Sequence, residues 1–176
     1  MSGAPTSVVP DSFIANLTVY AKRSPMLGCF VEVGVYRGGT AWHLSRIAQR
    51  RGVPIFLYDT FTGIPYQDAI DHHAPGDFND TSVEAVREAI PYATVVQGLF
   101  PDSIVPMPAV AFAHIDCDQY RAIIESVKAL GPMMVEGGIM VFDDFGCLDG
   151  ATTAVRELFP AHLINLTEAG KAWVQF

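Results

Sequence analysis

The chain has 176 residues, half of them hydrophobic and 17% charged, the balance of one globular domain with one substantial core. A net charge of −8 without a basic stripe argues against a nucleic-acid partner or an anionic membrane surface. No apolar run approaches a bilayer span, and the start, MSGAPTSVVPDS, has no basic segment leading into an apolar one, so a cytoplasmic protein without a signal peptide is expected.

Residues 1–10, with their Pro and Ser content, are expected to be flexible. Phe13, Leu17 and Tyr20 then recur at helical spacing, with Asp11 or Ser12 as candidate N-cap. CFVEVGV (29–35) is apolar, β-branched and ends at glycines, which reads as a buried strand. TAWHLSRIAQRR (40–51) carries one apolar stripe, Ala41, Leu44, Ile47 and Ala48. Its Arg46, Arg50 and Arg51 form a small basic cluster that complements the dipole at a helix end. IFLYDT (55–60) is a second buried strand. Residues 66–80, YQDAIDHHAPGDFND, have no sustained period, and a loop of that length suggests a functional lid. His72 and His73 in it read as solvated, or as substrate contacts if the loop closes.

Thr81 and Glu84 fit the S/T-x-x-E capping box, opening a helix that buries Val83, Val86 and Ile90. ATVVQG (93–98) and AVAFAHID (109–116) are the third and fourth strands. Tyr120, Ile123, Ile124, Val127 and Leu130 stripe the next helix, and GGIMVFDD (137–144) is the fifth strand. Val155, Leu158 and Phe159 mark a last helix before two strands around Glu-Ala-Gly-Lys. Strands alternating with helices predict a mostly parallel sheet covered on both faces, closed by a C-terminal antiparallel hairpin. Ligands of such sheets bind beyond the carboxyl ends of the strands, at the switch point of their order. Cys29, Cys117 and Cys147 have no metal-type spacing and read as free thiols.

VEVGVYRGGT (31–40) joins a strand to a helix N-terminus through glycines. Gly34 suits a tight turn, and Gly38 and Gly39 let backbone approach a ligand. Thr40 and the first helical amides could hold a carboxylate or phosphate, although an ordinary βα turn looks the same. The spacing is not G-x-G-x-x-G, which argues against a dinucleotide dehydrogenase. Asp59 ends the second strand, where an acidic side chain can take both hydroxyls of a ribose or merely cap the next turn.

Two acidic pairs follow, HIDCDQY (114–120) and VFDDF (141–145), each at a strand end. Carboxylates this close repel unless a proton or a cation lies among them. Asp116, Asp143 and Asp144 would suit a hard cation such as Mg²⁺ or Ca²⁺. Adjacent Asp143 and Asp144 can both serve only if the strand ends there. Asp118 is open to a second account, as N-cap of the helix beginning near Gln119. His114 reads as a packing or hydrogen-bonding neighbour. Paired aspartates also hold Mg²⁺ in phosphotransferases and phosphatases, and a non-catalytic nucleoside-binding module is a further alternative.

On these residues the chain resembles the macrocin O-methyltransferase family. VEVGVYRGGT, YDTFTGIP (58–65), QGLFPDSI (97–104), HIDCDQY and GGIMVFDDFG (137–146) match in the family's order. The resemblance implies a Rossmann-like class I methyltransferase fold with a seven-stranded sheet, spread over residues 1–176 as a single domain. It implies S-adenosylmethionine as methyl donor and a divalent metal, Mg²⁺ or another such as Ca²⁺. The acceptor it implies is a small-molecule hydroxyl of a sugar or natural product. Glu32, Gly34, Gly38, Gly39 and Thr40 would line the donor's methionine end and Asp59 its ribose. Asp116, Asp143 and Asp144 would be the metal ligands and Asp118 the general base. A homo-oligomer is compatible with this reading. The chain departs from the family pattern at Arg121–Ala122, where a small acidic-serine-threonine stretch is usual.

Overall fold

The computed structural model of the chain describes residues 5–176; residues 1–4, the start of the segment expected to be flexible, lie outside the described residues. Helix α1 (Asp11–Arg23) precedes β1 (Cys29–Val33), α2 (Gly39–Arg51), β2 (Ile55–Asp59), α3 (Val83–Ala89) and β3 (Thr94–Gln97). Then come β4 (Val110–Ile115), α4 (Tyr120–Leu130), β5 (Met134–Phe142), α5 (Asp149–Leu158), β6 (Asn165–Leu166) and β7 (Ala172–Gln175). The strands form one sheet in the order β3-β2-β1-β4-β5-β7-β6. Neighbours from β3 to β5 pair in parallel, and β7 is antiparallel to both β5 and β6. This is the seven-stranded sheet with a C-terminal antiparallel hairpin that the sequence predicts.

The central strands are apolar because both faces are covered. Every residue of β1 and of β4 is buried. On one face Phe13 and Leu17 of α1, Leu44 of α2 and Val86 of α3 pack over Phe30, Leu57 and Phe112. On the other, Ile123 and Val127 of α4 and Ala154 and Val155 of α5 pack over Val31, Ile115 and Phe142. Each such large side chain withdrawn from water contributes about 1.5–3 kcal/mol before entropy is counted. Among the described residues, no helix is long and apolar enough to cross a membrane.

Several ends differ from expectation. The N-cap of α1 is Pro10, which leaves Asp11 in the first turn to meet the helix dipole. The N-cap of α3 is Ser82, whose hydroxyl accepts from the Ala85 amide at 3.2 Å. Thr81, one residue earlier, instead donates to the Tyr36 carbonyl at 2.6 Å. Strand β5 begins at Met134, three residues before the expected start at Gly137, and Gly137 at φ +76° carries the chain through a register shift against β4. It ends at Phe142, so Asp143 and Asp144 fall in the turn beyond it.

Candidate active site

The order of the strands reverses between β1 and β4, and the crevice beyond their carboxyl ends is where such sheets bind ligands. Gly34 sits there at φ +88°, and a Cβ on it would lie 1.8 Å from the Asp116 carbonyl oxygen. Glycine therefore lets the tips of β1 and β4 close on each other. Gly38, at φ +85°, is the N-cap of α2. Gly39 is packed on Ser7, whose Cβ would lie 2.4 Å from an added Cβ, so its missing side chain makes room for the chain's own N-terminal segment. Among the described residues, α2 alone of the five helices has neither an acidic first turn nor a side chain accepting from its first amides. Its first amides thus have no side-chain acceptor, although Gly38, Gly39 and Thr40 are buried and Ser7 packs on Gly39.

Asp59 ties the turn together. Its Oδ2 accepts from the Val35 and Tyr36 amides at 2.7 and 2.8 Å, and its Oδ1 from the Phe61 amide at 2.7 Å. The turn-capping account of this residue is thus realised, with one lone pair remaining, on Oδ1. Glu32 is fully buried. Its Oε1 accepts from the Thr40 hydroxyl at 2.6 Å and lies 2.7 Å from His114 Nδ1, while Oε2 and His114 Nε2 have no partner. Glu32 and His114 face each other because β1 and β4 pair in parallel at this register.

The acidic pairs converge. One ligand oxygen from each of Asp116, Asp143 and Asp144 falls within 4.8 Å of the others. Asp143 Oδ1 and Asp144 Oδ2 are buried without a partner. Burial holds the Asp116 carboxyl well above the usual carboxylate range, and the neighbouring charges of Asp143 and Asp144 push the same way. Burial, then Asp118 and Asp143, push Asp144 up to about 8. Burial raises Asp118 to about 7 although its hydrogen bond with Asp144 acts against the rise. Hard oxygen donors that are orphaned, clustered and mutually repelling fit a divalent cation.

Asp118 does not continue the strand. It takes φ +62°, and the chain turns there into α4. Nor is it a helix cap: the N-cap of α4 is Gln119, and the Tyr120 amide is instead met by Asp71 Oδ1 at 2.8 Å. Asp71 belongs to the 66–80 loop, which is docked at both ends. Gln119 donates its side-chain amide to the Tyr66 carbonyl. Arg121 pairs with Asp68 at 3.2 Å and lies 4.1 Å over the Tyr66 ring. At the other end Asp80 accepts from the Tyr36 hydroxyl at 2.6 Å and pairs with Arg37. His73 lies 3.6 Å from Asp77 and packs on Phe78, and His72 is exposed.

Beneath the loop a cavity of about 80 Å³ is lined by Gly34, Asp59, Phe78, Leu99, Gln119 and Ser126. Gln119 Oε1 and Ser126 Oγ are buried in it without partners. Asp71, Phe78, Gln119 and Lys171 were not singled out by sequence reasoning. Lys171 Nζ lies 3.3 Å from Cys147 Sγ and feels the charges of Asp143 and Asp144. Only for Gln119 was there a signal, its place directly after Asp118.

A profile described as Macrocin-O-methyltransferase (TylF) matches residues 14–168. The Mycinamicin III 3''-O-methyltransferase of Micromonospora griseorubida is 25% identical over 180 aligned residues, which cover 87% of this chain and 70% of that protein. The 8-demethyl-8-(2,3-dimethoxy-alpha-L-rhamnosyl)-tetracenomycin-C 4'-O-methyltransferase of Streptomyces olivaceus is 25% identical over 160 residues, which cover 80% of this chain and 60% of that one. Among solved structures, the O-methyltransferase NovP superposes with a TM-score of 0.81 at 21% identity, covering 96% of this chain and 81% of the other.

Proposed function

This chain belongs to the macrocin O-methyltransferase family, and on that premise we propose that it is an S-adenosylmethionine-dependent, divalent-metal-assisted O-methyltransferase acting on a hydroxyl of a sugar or other natural product. The observation that carries the reading is the convergence of Asp116, Asp143 and Asp144, with orphaned buried oxygens on Asp143 and Asp144, beyond the carboxyl ends of β4 and β5.

In this reading the donor's carboxylate takes the first amides of α2, near Gly38, Gly39 and Thr40. Asp59 keeps one lone pair, on Oδ1, for a ribose hydroxyl while its backbone contacts hold the Gly34 turn. Glu32 Oε2, buried without a partner, is a candidate acceptor for the donor's ammonium group. Bound S-adenosylmethionine supplies an electrophilic methyl group on a sulfonium. Asp116, Asp143 and Asp144 would hold the metal, which would supply Lewis-acid polarisation of the acceptor oxygen. Asp118, two residues from Asp116 and hydrogen-bonded to Asp144, is placed at the site as the general base. It takes the hydroxyl proton as the oxygen–methyl bond forms and the sulfur–methyl bond breaks. The docked 66–80 loop limits water above the cavity, and alignment of the two reactants supplies much of the acceleration.

Titration calorimetry with S-adenosylmethionine and S-adenosylhomocysteine tests the donor. Micromolar binding, about −8 kcal/mol, is expected for both. Absence of heat with either nucleoside sinks the reading. Methyl transfer that persists in EDTA, or in Asp143→Asn, removes the metal from it.

A further inference from the structure

Among the described residues, Glu32 and His114 alone of the acidic and basic side chains have no exposed surface. The parallel pairing of β1 with β4 sets them side by side in the middle of the sheet. Burying a carboxyl group is costly unless its oxygens are partnered. Here the two oxygens are served unequally. Oε1 has two partners, the Thr40 hydroxyl donating at 2.6 Å and His114 Nδ1 at 2.7 Å, whereas Oε2 has none. The histidine ring is held in turn by Phe13 of α1, with ring centroids 6.0 Å apart, and its Nε2 has no partner. Among the described residues, the one polar contact of the ring is therefore with Glu32.

Thr40 is the second residue of α2, so the Glu32 carboxyl lies against the first turn of the helix assigned above to the donor's carboxylate. The ammonium and carboxylate groups of an amino acid share one carbon. An ammonium group brought to that turn therefore falls beside the Glu32 carboxyl, and Oε2 is the oxygen left to accept from it. The last torsion of a glutamate side chain is soft, and a single donor on Oε1 would leave the carboxyl free to turn. Two donors on Oε1 hold Oε2 in one place.

We propose that His114 is a positioning residue for the methyl donor: with Thr40 it anchors Glu32 Oε1 and so presents Oε2 to the donor's ammonium group; this rests on the methyltransferase reading. His114 itself touches neither donor nor acceptor. Its effect is confined to the donor's amino group, because a preset acceptor improves affinity only for the group it accepts from.

The test is titration calorimetry on the full chain with S-adenosylhomocysteine and with its deamino analogue, in which hydrogen replaces the ammonium group. The unsubstituted protein should prefer S-adenosylhomocysteine by about tenfold or more, the weight of a hydrogen bond to a charged group. His114→Gln carries its amide to the place of Nε2, out of reach of Glu32, and should lose most of that preference while binding the deamino analogue as before. His114→Asn carries its amide to the place of Nδ1 and should recover it. Should His114→Gln fail to fold, His114→Leu, which removes both ring nitrogens, takes its place with the same expectation. A preference kept in the substituted protein, an equal loss for both ligands, no recovery in His114→Asn, or unfolding of both His114→Gln and His114→Leu each overturns the proposal. So does an unsubstituted protein that binds both ligands equally, which leaves the methyltransferase reading intact. Failure of S-adenosylhomocysteine to bind at all strikes that reading, and this proposal with it.

Discussion

Gly34 and Asp118 both occupy left-handed backbone, for different reasons. At Gly34 the conformation and the contact with the Asp116 carbonyl oxygen leave no space for a Cβ. Gly34→Ala should lower stability by about 2–4 kcal/mol in urea denaturation, since strain and overlap act together. Aspartate tolerates that region better than most residues, so Asp118→Asn should keep the fold. It should keep donor affinity too, yet reduce turnover by about 10²–10⁴-fold, the usual weight of a general base. The carboxyl pKa values raised in the cluster make a stability claim. Asp118 at about 7 and Asp144 at about 8 bind protons in the fold that the unfolded chain has released. Their contribution is fully present below the ordinary value of 3.8 and is lost as pH rises through about 7 to 8. Metal-free protein should therefore melt at falling temperature from pH 5 toward pH 8, and Asp144→Asn should flatten that slope. A melting curve that rises over this range would contradict the clustering. The candidate aspartates were legible in HIDCDQY and VFDDF. That Asp118 leaves the strand, and that Asp71 rather than Asp118 meets the first amide of α4, was not, because a cap supplied from 49 residues away leaves no local pattern.

The start of α4 and the 66–80 loop are one mechanical unit. Asp71 caps the helix, Gln119 holds the Tyr66 carbonyl, and Arg121 pairs with Asp68 over the Tyr66 ring. The departure from the family pattern at Arg121 is thereby given a use, as a clamp for the loop. Asp71→Ala should cost about 1–2 kcal/mol, the range of a lost cap, and should open residues 66–80 to limited proteolysis. Unchanged protease resistance would mean that the remaining contacts suffice. The periodic stripes located every helix, since amphipathic spacing needs no tertiary information. Boundaries moved where local signals competed. Ser82 and Thr81 both satisfy the chemistry of an N-cap, and only the nearness of the Tyr36 carbonyl assigns Thr81 elsewhere. The sequence starts the fifth strand at Gly137, yet β5 begins at Met134, because pairing with β4 resumes after a register shift.

Across the whole molecule basic side chains fall in the last turn of all five α-helices and acidic ones in the first turn of α1, α3 and α5, as the helix dipole favours. The clustered aspartates lie beyond the carboxyl ends of β4 and β5. A cation bound there should stabilise the fold by mass action. At a hundredfold excess over its Kd, Mg²⁺ should add about 2.7 kcal/mol, reversed by EDTA and absent in Asp143→Asn. No change in melting temperature with Mg²⁺ would leave the three carboxylates without their expected ligand. The sequence by itself determined the fold class, the order of the elements and the residues of the acidic pairs, because burial on both faces of a parallel strand and helical periodicity are written in neighbouring residues. Only the tertiary structure decided that Asp116, Asp143 and Asp144 meet, that Asp59 binds its own turn, and that Arg37 and Arg121 pair with Asp80 and Asp68. Those facts depend on which strand lies beside which and at what register, and contacts between positions far apart in the chain leave no trace in local spacing.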